Sequence, residues 1–172
     1  MNYRESTNRL LSLVDHERVQ ISLPRQKRIY DLGRMEMLLW RLGNPHLGIP
    51  TIHVAGTKGK GSTAAFCDAV LHAAGYRTGF YSSPHMHTFR ERIRLNTEPV
   101  SEEKFAHLVA DLWKDQEWVP ENTDLGPVSL FEFMTVMAFQ CYKHEEVDFQ
   151  TIEVGLGGRL DATNVVQPSV CV

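Results

Sequence analysis

A chain of 172 residues with a formal net charge of -3, 42% hydrophobic and 23% charged residues is long enough for one core and too apolar for intrinsic disorder. Its most apolar stretches, 51–55 and 131–141, fall short of the roughly 18 to 20 residues that cross a bilayer, and an acidic balance lacks the basic field of bulk nucleic-acid binding. The start, Met-Asn-Tyr-Arg-Glu-Ser, has no basic or apolar signal region, which makes the cytoplasm the expected compartment, and Cys67, Cys141 and Cys171, without C-x-x-C spacing, read as buried thiols.

Helical patterns cover 3–14 and 27–42, the second with Ile29, Leu32, Met35, Leu38, Leu39 and Leu42 at helical spacing and Gly43-Asn44-Pro45 to stop it. A β-rich run at 51–55 leads through a glycine-rich loop into a helix over 63–74. Residues 77–82 form a second strand, which completes a βαβ unit. Residues 83–87 read as loop and 90–95 as an extended piece, with Arg90, Arg92 and Arg94 on one side. That side could meet a carboxylate or phosphate, or be a solvated edge. Ser101, followed by Glu102 and Glu103, caps a helix to about 114, and 115–127 is a polar loop. Ser129 and Glu132 form a capping box ahead of an apolar helix to about 144. Residues 149–154 are a third strand entering a second glycine-rich loop at 155–158. The chain stops inside a further strand at 169–172, so the expectation is an α/β fold: a P-loop-type, mainly parallel sheet flanked by helices and truncated at the C-terminus.

Chemistry concentrates in the loops. Gly56, Thr57, Lys58, Gly59, Lys60, Gly61 and Ser62 join a strand to a helix, where backbone N–H groups and the positive end of the helix dipole meet. The glycines let the backbone approach an anion, and Lys60 can reach a terminal phosphate as a point charge. The strict G-x-x-x-x-G-K-[ST] pattern is not met, because Gly61 separates Lys60 from Ser62 and position 54 is valine. The segment is a variant phosphate loop or a tight turn with two exposed lysines. With Gly61 where a magnesium-holding hydroxyl usually stands, Ser83 and Glu153, both at predicted C-terminal strand ends, are the natural oxygen suppliers. The alternatives are a turn serine and a solvated carboxylate. His85 and His87, without a cysteine or carboxylate cluster nearby, give little ground for a transition-metal site.

In order and spacing over 26–172, the blocks GTKGKGS at 56–62, YSSPH at 81–85, FRERI at 89–93 and EVGLGGRLDATN at 153–164 resemble the folylpolyglutamate synthase and dihydrofolate synthase family of ATP-dependent Mur ligases. The resemblance implies a two-domain enzyme, a monomer when full length. Such an enzyme phosphorylates a dihydropteroate or folate carboxylate with ATP, and the amine of L-glutamate then displaces phosphate. It implies that 56–62 hold the ATP phosphates, that Lys60 and Glu153 are catalytic, and that Ser83 and Glu153 bind Mg²⁺. It further implies that Asp31, Leu32, Gly33 and Arg34, with Ser129, Leu130, Phe131 and Glu132 and with Leu160, Asp161 and Ala162, line a pterin pocket. Lys58 stands where many members have asparagine. The chain would be an incomplete N-terminal ATP-binding domain, inactive alone, because the family's histidine magnesium ligand, carbamylated lysine and C-terminal domain would lie beyond Val172. A cell-wall Mur ligase and a nucleotide-binding module without ligase activity are the rival readings; GLGGRLDATN and SSPH favour folate over the cell wall.

Overall fold

The computed structural model describes residues 1–14 and 31–172. In chain order the elements are α1 (Tyr3–Leu10), α2 (Gly33–Arg41), β1 (Thr51–Val54), α3 (Lys60–Ala73), β2 (Thr78–Tyr81), a 3-10 turn (Phe89–Arg92), β3 (Ile93–Leu95), β4 (Glu98–Pro99), α4 (Glu102–Asn122), α5 (Leu130–His144), β5 (Phe149–Glu153) and β6 (Val170–Cys171). The strands form one sheet in the order β4-β3-β2-β5-β1-β6. The pairs β2–β5, β5–β1 and β1–β6 are parallel, while β3 and β4 add an antiparallel edge. The α/β, mainly parallel architecture read from the sequence is the one observed.

Period-two alternation divides the sheet between two helical layers. Phe80 packs with Val54 and with Ala64 of α3, whereas its neighbour Tyr81 joins the main core. That core lies between the sheet and α1, α2, α4 and α5, with Leu39, Phe105, Val109, Phe133 and Ile152 fully shielded. Register extends the division to polar residues. Val54 stands opposite Glu153 and His53 opposite Ile152, so Glu153 faces α3 and His53 faces the other layer. Because β1, β2 and β5 are parallel, the segments after Val54, Tyr81 and Glu153 all leave from one edge. Among the described residues no helix is long and apolar enough to cross a membrane.

Several sequence expectations are corrected. The helix expected over 3–14 ends at Leu10, and of that expected over 27–42 the structure shows Gly33–Arg41; residues 27–30 lie outside the described residues. α3 begins at Lys60 rather than 63, which puts Gly61 and Ser62 in its first turn. α4 runs through Pro120 to Asn122, because Leu112, Trp113, Gln116 and Val119 continue the buried stripe across the supposed loop at 115–127. Arg90, Arg92 and Arg94 do not share a side. Thr88 and Glu91 form a capping box that winds 89–92 into a 3-10 turn. Arg90 then donates to the Val100 carbonyl, Arg92 to His85 Nδ1 and Arg94 to the Glu91 carbonyl. Of the cysteines only Cys141 is buried. Cys67 is half-buried on α3 and Cys171 is exposed on the edge strand β6.

Candidate active site

The loop at 55–59 turns β1 into α3, and Gly59 makes the turn in the left-handed region at φ 76°, where a side chain would be strained. No side chain caps α3, in contrast to α1, α4 and α5, which Asn2, Ser101 and Ser129 cap. The first-turn amides therefore remain available to an anion. Lys58 is exposed and Lys60 half-buried at the helix start.

Glu153 ends β5 on the α3 face, 6% exposed. Its Oε2 accepts the Ser83 N–H at 3.2 Å, and a Cβ at Gly61 would stand 3.3 Å from each carboxylate oxygen. Burial pushes the Glu153 carboxyl above its ordinary range, while the Ser83 N–H and the charge of Lys60 pull it back part of the way. The phosphate-type loop, Ser83 and Glu153, which the sequence reading grouped around one ion, are neighbours at one sheet edge. The segment after β2 is held in shape by Glu91, whose carboxylate accepts the N–H groups of Met86, Thr88 and His87 and is lowered by these bonds to about 2. Among the described residues no group of three or more His, Cys, Asp or Glu could hold a metal ion.

The three stretches read as a pterin pocket are also brought together. Arg34, in the first turn of α2, donates from Nε to Glu132 Oε1 at 2.9 Å, and this ion pair is buried. Glu132 Oε2 accepts the Ser129 N–H at 2.7 Å, completing the capping box of α5. Asp31 accepts the Gly33 N–H, and Leu32 is the N-terminal cap residue of α2. Phe131, between the cap and the pair, presses its ring so closely on Gly155 that a Cβ there would lie 2.5 Å away. Leu130 and Ala162 join the core, while Leu160, two residues before Ala162, is exposed. Asp161 is 5% exposed. Its Oδ2 accepts the Leu156 N–H and its Oδ1 accepts the N–H and hydroxyl of Thr163. His53 and Thr163, which the sequence reading passed over, meet here, with Nε2 and Oγ1 2.9 Å apart. Their separation along the chain left no local signal. A groove of about 230 Å³ between α4 and α5, lined by Lys104, His107, Cys141 and Glu145 among others, contains none of these residues. Burial pushes the Cys141 thiol up to about 12, so it is no nucleophile.

No family model matches the chain. It is 46% identical over 142 residues to the dihydrofolate synthase/folylpolyglutamate synthase of Bacillus subtilis, covering 82% of this chain and 33% of that protein. The crystal structure of a folylpolyglutamate synthase from Thermotoga maritima superposes with a TM-score of 0.83 at 43% identity, over 96% of this chain and 36% of that one. A structure described as an FPGS-AMPPCP-folate complex gives a TM-score of 0.86 at 35% identity, over 99% of this chain and 39% of that one. The chain therefore spans about a third of the length of the Bacillus subtilis relative. Over that span it belongs to the folylpolyglutamate synthase and dihydrofolate synthase family.

Proposed function

We propose that these residues form the incomplete N-terminal ATP-binding domain of a ligase that adds L-glutamate to dihydropteroate, to reduced folates or to both. The observation that carries this reading is the meeting of a buried carboxylate, Glu153, with Ser83 and the uncapped first turn of α3 at one sheet edge. The relatives supply the substrate class, one of them being a complex with AMPPCP and folate.

In this reading Gly56, Thr57, Lys58, Gly59, Lys60, Gly61 and Ser62 receive the phosphates of ATP through backbone N–H groups, and Lys60 places its charge at the terminal phosphate. Ser83 and Glu153 hold Mg²⁺. Their hard oxygens would suit that ion. When bound, Mg²⁺ spreads the charge of the transferring phosphoryl group. Arg34, Glu132 and Phe131, with the 160–162 segment, hold the pterin end so that the acceptor carboxylate is presented to the γ-phosphate. A carboxylate oxygen attacks the γ-phosphorus and the bond to ADP breaks, giving an acyl phosphate. The amine nitrogen of L-glutamate then attacks the acyl carbon, phosphate leaves, the nitrogen loses a proton and the amide remains.

The test uses the full-length protein with ATP, Mg²⁺, L-glutamate and, in separate arms, dihydropteroate and a reduced folate. The expected result is phosphate release that requires both acceptor and glutamate, with a product heavier by one glutamyl residue. Nucleotide binding with no turnover in any arm would favour the binding-module reading and overturn the ligase.

A further inference from the structure

His53 is a polar side chain on the buried face of a parallel strand, where aliphatic residues are the rule; it is 7% exposed. Its Nε2 lies 2.9 Å from Thr163 Oγ1, and that hydroxyl donates to Asp161 Oδ1 at 2.5 Å. A threonine hydroxyl has one hydrogen. Since the hydrogen points at the carboxylate, the contact with the imidazole requires His53 to donate from Nε2. Burial lowers the pKa of the imidazole and the charge of Asp161 offsets part of that, so the ring at neutral pH is the uncharged Nε2–H form.

The loop does not need His53 to close on itself. Asp161 already binds the Leu156 N–H at 2.8 Å and the Thr163 N–H at 2.9 Å. The sheet fixes the two ends of the connection, through the Val154 N–H on the Val54 carbonyl and the Ser169 N–H on the Thr51 carbonyl. What His53 adds is an attachment of the middle of the loop to the strand that enters the phosphate-type loop at Gly56. It does so from the face opposite Glu153.

We propose that His53, Thr163 and Asp161 form a directed hydrogen-bond relay, with His53 the donor, that sets the position of the 160–162 segment, and so of the acceptor, against the phosphate loop. The proposal rests on the ligase reading. His53 and Thr163 are positioning residues, touching no reacting atom. Their effect follows from the contacts that segment offers the acceptor: once the segment is displaced, part of the acceptor's binding is lost, and the loss appears in the acceptor KM.

The experiment uses the full-length enzyme. In Thr163→Val the KM for dihydropteroate should rise about tenfold or more while the KM for ATP stays within about twofold, and Thr163→Ser should recover most of the acceptor affinity. In ¹⁵N-histidine-labelled wild type, long-range ¹⁵N–¹H spectra at neutral pH should show His53 as the Nε2–H tautomer. An Nδ1–H tautomer or an imidazolium overturns the relay, and this readout decides the matter if Thr163→Val fails to fold. An active wild type whose Thr163→Val variant has an unchanged acceptor KM, or raises both KM values equally, overturns the relay and leaves the ligase reading standing. A wild type without acceptor-dependent turnover overturns the ligase reading and the relay's role with it.

Discussion

Burial holds the Glu153 carboxyl above its ordinary range, against the opposing pull of the Ser83 N–H and the Lys60 charge. A carboxyl with a raised folded-state pKa binds its proton more tightly folded than unfolded. Its contribution to stability is therefore complete below the unfolded pKa and is lost as pH rises through the folded one. At neutral pH Glu153 thus weakens the fold it sits in. Glu153→Gln in the full-length protein should melt above wild type at neutral pH, and the gap should close as pH falls toward the ordinary glutamate value of about 4.3. Its turnover should drop about 100-fold or more. Thermal melts over that pH range and a magnesium titration of phosphate release check both halves; a variant that loses stability along with activity would make Glu153 a structural residue. Gly61 belongs to the same arrangement, since any Cβ there would stand 3.3 Å from each carboxylate oxygen. The sequence had Gly61 displacing a hydroxyl. The structure adds that the space it leaves is occupied by Glu153.

The first turn of α5 joins two neighbours, the start of α2 through Glu132 and the loop after β5 through Phe131. Removing Arg34 would leave the Glu132 carboxylate buried without its ion-pair partner. Arg34→Met should therefore cost about 3–5 kcal/mol, in the range for breaking a buried pair, read as a lower urea midpoint at constant m-value. An unchanged midpoint would show that the pair carries no structural load. At this scale the sequence was unevenly legible. The Ser129 and Glu132 box could be read because its partners lie three residues apart before an apolar run. The same pattern at Thr88 and Glu91 lies beside the alternation of 90–95, so the whole of 90–95 was read as one extended piece, although only 93–95 is a strand and 89–92 are a 3-10 turn. The end of α4 was missed because Asp115, Gln116 and Glu117 look like loop, although Gln116 and Val119 extend the buried stripe. The parallel strands, the glycine turn and the common edge were legible from period and punctuation, whereas β4, two residues long, was not read. The Arg34–Glu132 and His53–Thr163 pairings were not, since 98 and 110 residues separate the partners and nothing local records them.

Across the whole molecule, the parallel strands collect the proposed nucleotide contacts from segments far apart in the chain, so a bound nucleotide should fasten those segments together. A ligand that binds only the folded state at about 100 times its Kd adds about 2.7 kcal/mol. AMPPCP with Mg²⁺ should accordingly raise the Tm of the full-length protein, and Lys60→Ala should flatten the response while leaving the ligand-free Tm near wild type; an undiminished shift in that variant would remove Lys60 from the site. The strand polarity that gathers the site also empties the opposite rim. The connections that enter β1, β2 and β5 carry none of the proposed contacts, and Gly48, exposed in a left-handed turn before β1, lies in one of them. That rim is where the chain has licence to vary, and a reporter peptide grafted at Gly48 would travel with the protein without meeting the proposed contacts.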